Sequence, residues 1–131
     1  MQELNKMLEK VKHLKLLYIE DNEDVMQSTV GLFANIFDDI TTACDGEDAL
    51  EKLEACNYDY DLIITDINMP KVDGYEVIEK IRKHNTALKV YILSAYNQVD
   101  NIQKAGSSVD AYLYKPLSIQ KLFEILGTHY G

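Results

Sequence analysis

Cysteine is scarce: Cys44 and Cys56 are the whole complement. Two thiols cannot build a disulfide framework and fall short of a four-ligand zinc site. Small, buried, reduced side chains are the expectation for both. Long apolar runs are missing too. Each apolar stretch breaks within about ten residues, against the roughly 20 a bilayer span requires, so no membrane insertion is expected. Positive charge is the third deficit. Lys and Arg number 13 against 22 Asp and Glu, a formal net charge of −9, which argues against direct nucleic-acid binding. The opening residues Met1-Gln2-Glu3-Leu4-Asn5-Lys6 lack the apolar core and cleavage site of a secretion signal, so a cytoplasmic location is expected. There is no internal repeat and no low-complexity tract. What remains is 131 residues, 47% of them hydrophobic, enough for one globular domain with a real core and too apolar for disorder.

Short apolar runs and longer amphipathic ones alternate five times along the chain. The strand candidates are Lys15–Glu20, Asp39–Ala43, Leu62–Asp66, Lys89–Ser94 and Ala111–Lys115. Four of them are near-continuous apolar runs rich in β-branched or aromatic residues, as parallel strands buried on both faces require. Asp39–Ala43 (DITTA) is more polar and reads as an edge strand. Between them, Met26, Val30, Phe33 and Phe37 recur at helical spacing over Glu23–Phe37, and Ala49, Leu50 and Leu53 over Glu47–Ala55. Tyr75, Val77, Ile78 and Ile81 mark Gly74–His84, with Asp73-Gly74 as its opening turn. Val99, Ile102 and Ala105 mark a weaker helix over Gln98–Ala105. Leu122, Ile125 and Leu126 mark the last helix, with Ser118 as its N-cap. This (βα)₅ alternation implies right-handed crossovers and an α/β doubly wound, parallel, five-stranded sheet with helices on both faces. The flavodoxin-like order 2-1-3-4-5 fits best, because it places the polar second strand at an edge.

All strand C-termini then share one rim, which is where ligands bind in such sheets. That rim carries Glu20 and Asp21 after the first strand, Asp66 then Asn68 after the third, Ser94 at the fourth and Lys115-Pro116 at the fifth. The first and third strands flank the switch point, so three carboxylates converge. Such a cluster either raises its own pKa values or takes up a cation. An all-oxygen carboxylate set suits a hard divalent ion, Mg²⁺ first and Mn²⁺ as the alternative. Three carboxylates, one Mg²⁺ and the Lys115 ammonium sum to zero charge. With Asp66 as nucleophile, Lys115 as a point charge and the Ser94 hydroxyl as a donor, these are parts for carboxylate attack on a phosphoryl group.

The motifs LLYIEDN, DLIITDINMPKVDGYE, VYILSAY and AYLYKP stand in that order at the right strand ends. Through them the sequence resembles the receiver domain of two-component response regulators, of the chemotaxis-regulator kind, across Leu14–His129. The resemblance implies that Asp66 is the phosphoacceptor in a phosphorelay, fed by a sensor histidine kinase or a phosphotransfer protein. It further implies Mg²⁺ held by Glu20, Asp21, Asp66 and the backbone carbonyl of Asn68. Ser94 and Lys115 would contact the phosphoryl group, and Tyr112 would be the switch aromatic. Asn68 and Tyr96 would tune phosphoryl loss, and Lys115–Pro116 would be a cis peptide. The output surface would be the helix over 98–105, the fifth strand and the last helix, acting on a downstream protein or an attached output domain. Two positions depart from the commoner pattern. Glu20 stands where the family often has Asp, and Ser94 where Thr is usual. The bulk of Tyr96 implies slower attack by water and a longer-lived phospho-form.

Two other functions are weighed against this one. A haloacid-dehalogenase-type phosphohydrolase shares the strand-end Asp, hydroxyl, lysine and Mg²⁺, but it needs a second Asp where Asn68 stands. An enzyme is therefore not expected, beyond slow self-dephosphorylation. A scaffold that keeps the fold without phosphorylation is opposed by the complete set of competent side chains. A flavin carrier would need a hydroxyl-rich phosphate loop where Glu20-Asp21-Asn22-Glu23 lies. His13, His84 and His129 read as surface residues. Residues 1–13 read as an amphipathic helical extension, frayed or packed on its own domain, or as a dimerising or linker helix, with Leu4, Met7, Val11 and Leu14 at a/d-like spacing. That spacing leaves a homodimer open, and residues 14–131 form the receiver-like domain.

Overall fold

The computed structural model describes the backbone of residues 2–66, 74–85, 87–95 and 109–131, and the side chains of 5–66, 76–85, 87–93 and 109–131. The expected helix over 98–105, Asn68, Asp73, Tyr96 and the Ser94 side chain lie outside the described residues. The described elements, in chain order, are α1 (Gln2–Val11), β1 (Lys15–Ile19), α2 (Glu23–Phe33), β2 (Asp39–Ala43), α3 (Gly46–Ala55), β3 (Leu62–Asp66), α4 (Gly74–His84), β4 (Lys89–Ala95), β5 (Ala111–Lys115) and α5 (Ile119–Tyr130). Five parallel strands stand in the order β2-β1-β3-β4-β5, the order expected from a polar second strand.

The period of two in the strands sorts their side chains between two cores. Leu16, Tyr18, Leu62, Ile64, Tyr91, Leu93 and Leu113 face α2 and α5, meeting Phe33, Leu122 and Leu126. Leu17, Ile19, Ile63, Val90 and Ile92 face the opposite way, onto Ala49 and Leu53 of α3 and Val77, Ile78 and Ile81 of α4. Caps fix where the helices start. The Asn22 side chain accepts from the Val25 N–H at 3.0 Å, Asp45 from Asp48 at 2.7 Å, and Ser118 from Lys121 at 3.2 Å.

Five details differ from the sequence expectations. The second helix stops at Phe33, because Asn35 and Ile36 turn back onto the Leu32 and Phe33 carbonyls. Phe37 still reaches the core from that turn, while Met26 packs only at the core's margin. β5 is not buried on both faces: it is the second edge of the sheet, and its Tyr114 is 40% exposed. Cys44 and Cys56 are exposed rather than buried. One follows an edge strand and the other ends a helix, so neither faces the sheet. His129 is half-buried, its Nδ1 lying 2.7 Å from the buried Tyr91 hydroxyl. His84 is exposed but stacks on Tyr58 at 4.3 Å.

α1 lies against the same core as α2 and α5. Val11 is fully buried, and Met7, Leu8 and Leu14 pack at its edge. The Lys12 carbonyl accepts from Asp38 at 2.9 Å, and the Lys10 ammonium donates to the Gly131 carbonyl at 3.1 Å. At least part of the heptad-like seam is thus engaged within the molecule. On the far side of the sheet, Arg82 of α4 donates to the Leu88 carbonyl at 2.6 Å and to Asp110 Oδ2 at 2.8 Å. Asp110 also accepts from the Val90 N–H at 2.8 Å. This carboxylate joins α4, β4 and the entry to β5.

Candidate functional site

β1 and β3 are neighbours, and their register pairs Ile19 with Thr65. One step further along, Glu20 stands beside Asp66, both on the face shared with α2 and α5. The Glu20 N–H donates to the Ala43 carbonyl at 3.0 Å, which holds the chain in register after β1 ends. Glu20 is 1% exposed and Asp66 is 8% exposed; Asp21 is exposed at the rim. One oxygen from each of Glu20, Asp21 and Asp66 falls within a group no more than 4.8 Å across.

Lys115, at the end of edge strand β5, reaches across this group. Its Nζ donates to Glu20 Oε1 at 2.9 Å and to Asp66 Oδ2 at 3.1 Å. The Lys115–Pro116 peptide that follows is cis. Burial works to lower the Lys115 pKa, but hydrogen bonds and charge from Glu20 and Asp66 win and raise it, so the ammonium is secure. Glu20 shows the opposite balance. Burial pushes its carboxyl up to about 7, the Lys115 hydrogen bond lowers it, and Asp21 and Asp66 raise it further. One ammonium does not satisfy this many carboxylates, which is the electrostatic signature of a site suited to a further cation.

The structure therefore brings Glu20, Asp21, Asp66 and Lys115 together. It places Tyr112 on β5, partly buried against the α3–α4 core, with burial raising its phenol pKa. Sequence reasoning passed over two neighbours of the pocket, Tyr18 and Thr29. Tyr18 is one residue pair below Glu20 on the same strand face, and Thr29 is buried on α2. The available signal was a single hydroxyl within the otherwise aliphatic run of β1.

The comparisons with known proteins bear on the family and the fold. Residues 16–127 match the family model described as the response regulator receiver domain. The chain belongs to that family. The receiver is 38% identical over 92 residues to the sensor protein EvgS of Escherichia coli K12, covering 70% of this chain and 7% of that protein. It is 39% identical over 84 residues to the chemotaxis protein CheY of Treponema pallidum, covering 63% and 58%. The chain thus spans a small part of the first relative and little more than half of the second. Among solved structures, a receiver domain from Clostridium thermocellum superposes with a TM-score of 0.77 at 28% identity, covering 90% of this chain and 94% of that one. The receiver domain of Francisella response regulator 1452 superposes with a TM-score of 0.74 at 35% identity, covering 90% and 97%. The receiver is a signalling module of two-component systems, a family generally without enzymatic activity, and its members generally bind Mg²⁺ at an acidic pocket. Among the described residues, no helix is long and apolar enough to cross a membrane.

Proposed function

We propose that Asp66 accepts a phosphoryl group from a phosphohistidine of a sensor kinase or phosphotransfer protein. The observation that carries this reading is the Lys115 ammonium held between Glu20 and Asp66 beside a third carboxylate. An Asp66 carboxylate oxygen forms the new O–P bond as the N–P bond of the phosphohistidine breaks. The imidazole nitrogen leaves with the electron pair and takes up a proton. Lys115 already lies within reach of Asp66, so it can hold a phosphoryl oxygen without a large excursion.

The donor set fits Mg²⁺: Glu20, Asp21, Asp66 and the Asn68 backbone carbonyl would hold it, with Mn²⁺ as a substitute. When bound, that ion supplies positive charge to the phosphoryl oxygens. Ser94 and Tyr112 are the switch pair that would carry the change to the helix over 98–105, β5 and α5. Asn68 and Tyr96 would tune phosphoryl loss. The receiver then acts on a downstream protein or an attached output domain. A cytoplasmic location and a chain divided at residue 14 complete the proposal. No catalytic turnover is expected beyond slow self-dephosphorylation.

The test is incubation with acetyl phosphate and Mg²⁺ followed by intact mass. Wild type gains about 80 Da, the mass of one phosphoryl group replacing a proton, and Asp66→Asn gains nothing. An unmodified wild type, or an equally modified variant, overturns the assignment.

A further inference from the structure

Tyr18 is fully buried, and its ring needs no hydroxyl for packing. It meets Phe33 edge to face at a centroid distance of 5.1 Å and an interplanar angle of 89°, contacts a phenylalanine would keep. Its oxygen nevertheless lies in the interior without a hydrogen-bond partner among the described residues. The Thr29 hydroxyl acts on it without reaching hydrogen-bond geometry, and so do the charges of Glu20, Lys115 and Asp66. A tyrosine hydroxyl keeps its proton at neutral pH, so the group is an O–H donor. A buried hydroxyl left unsatisfied destabilises the fold, and such a group calls for an explanation.

The complementary deficit lies one residue pair above it. Glu20 is 1% exposed and takes its hydrogen bond at 2.9 Å from Lys115. The ammonium that serves Glu20 is the one that must turn toward a phosphoryl group on Asp66. Mg²⁺ held at the site would take one lone pair of this carboxylate, but the oxygen that Lys115 leaves, Oε1, is too deep to replace its donor with bulk water at little cost. The backbone N–H of Asn22, at 3.4 Å from the other oxygen, is a weak substitute. A donor lacking an acceptor and an acceptor about to lose its donor thus share one strand face.

We propose that Tyr18 is a positioning residue of the phosphoryl site, its hydroxyl held as the reserve hydrogen-bond donor for Glu20 when Lys115 is drawn to the phosphoryl group. The proposal rests on Asp66 being the phosphoacceptor. It predicts a trade between the two states of the site. Removing the hydroxyl relieves the resting fold and weakens the occupied one, because the donor finds its acceptor only after Lys115 has moved.

Tyr18→Phe keeps the ring and its contact with Phe33, so it folds. Its thermal midpoint without ligand should equal or exceed that of wild type. In Mg²⁺, beryllofluoride serves as the non-transferable mimic of the phosphoryl group. Its affinity, read from the midpoint rise against concentration, should fall about tenfold in the variant, equivalent to about 1.4 kcal/mol. Steady-state labelling by acetyl phosphate should fall with it. Equal beryllofluoride affinity in wild type and variant overturns the role of Tyr18, since a hydroxyl that only packs would not distinguish the two states. A wild type that neither binds beryllofluoride nor takes a phosphoryl group overturns the phosphoacceptor assignment itself.

Discussion

Replacing Glu20 by Gln should make the metal-free receiver more stable at pH 8 and leave it nearly unchanged at pH 4.5. Glu20 ionises near 7 in the folded chain against 4.5 for an ordinary glutamate, because burial and the neighbouring carboxylates disfavour its charged form. The folded state therefore binds the proton more tightly than the unfolded state. Below about 4.5 both states are protonated, and the contribution is fully present. As pH rises through 7 the folded protein must carry a buried charge, and stability falls. The two values span about 3 kcal/mol at roughly 1.4 kcal/mol per tenfold change in proton affinity. That figure already includes the help Lys115 gives. The substituted amide has the shape of the protonated acid and escapes the loss. In urea titrations with EDTA, the variant's midpoint should exceed wild type by on the order of 1–2 M at pH 8 and match it at pH 4.5. Saturating Mg²⁺ should reverse the order, since an amide is a poorer ligand than a carboxylate. A difference that stays constant from pH 4.5 to 8, or a variant weaker than wild type at pH 8 without metal, refutes the reasoning.

Val11, the last residue of α1, is fully buried, so Val11→Asp should destabilise by about 3 kcal/mol or more through an unpaired buried charge, read as a lowered urea midpoint. Asn57 holds φ 57 and Tyr58 φ 60 at the end of α3. Asn57→Ala should cost about 1 kcal/mol and Asn57→Gly almost nothing, which chemical denaturation resolves. Asp110→Ala strips both the Arg82 guanidinium and the Val90 N–H of an acceptor at 2.8 Å; a loss of about 2–3 kcal/mol is expected. Tyr96→Ala should shorten the life of the phospho-form, measured by loss of the mass increment after acetyl phosphate is removed.

Much of this protein is legible before folding. The alternation of short apolar runs with amphipathic ones demands parallel strands and helical crossovers, and a polar DITTA among four apolar runs names one edge. The rim residues follow from the topology, because every strand that begins at one end must finish at the other. Glu20, Asp21, Asp66 and Lys115 could thus be assigned to one pocket from their places at strand ends. Tertiary structure alone decided how they share charge. Lys115 bridges Glu20 and Asp66 from the end of β5, two strands away from β3 in the sheet, a meeting that the sheet order makes and no local pattern does. Glu20 titrates near 7 only because α2 and the neighbouring strands exclude water from it. The same distinction separates Val11, fully buried, from His13, two residues on and exposed. It also separates Tyr18, buried with a hydroxyl unpartnered among the described residues, from a residue that merely fills the core. Periodicity is a local property written in the order of residues. Desolvation depends on what the rest of the chain packs over each side chain, and no local pattern encodes that.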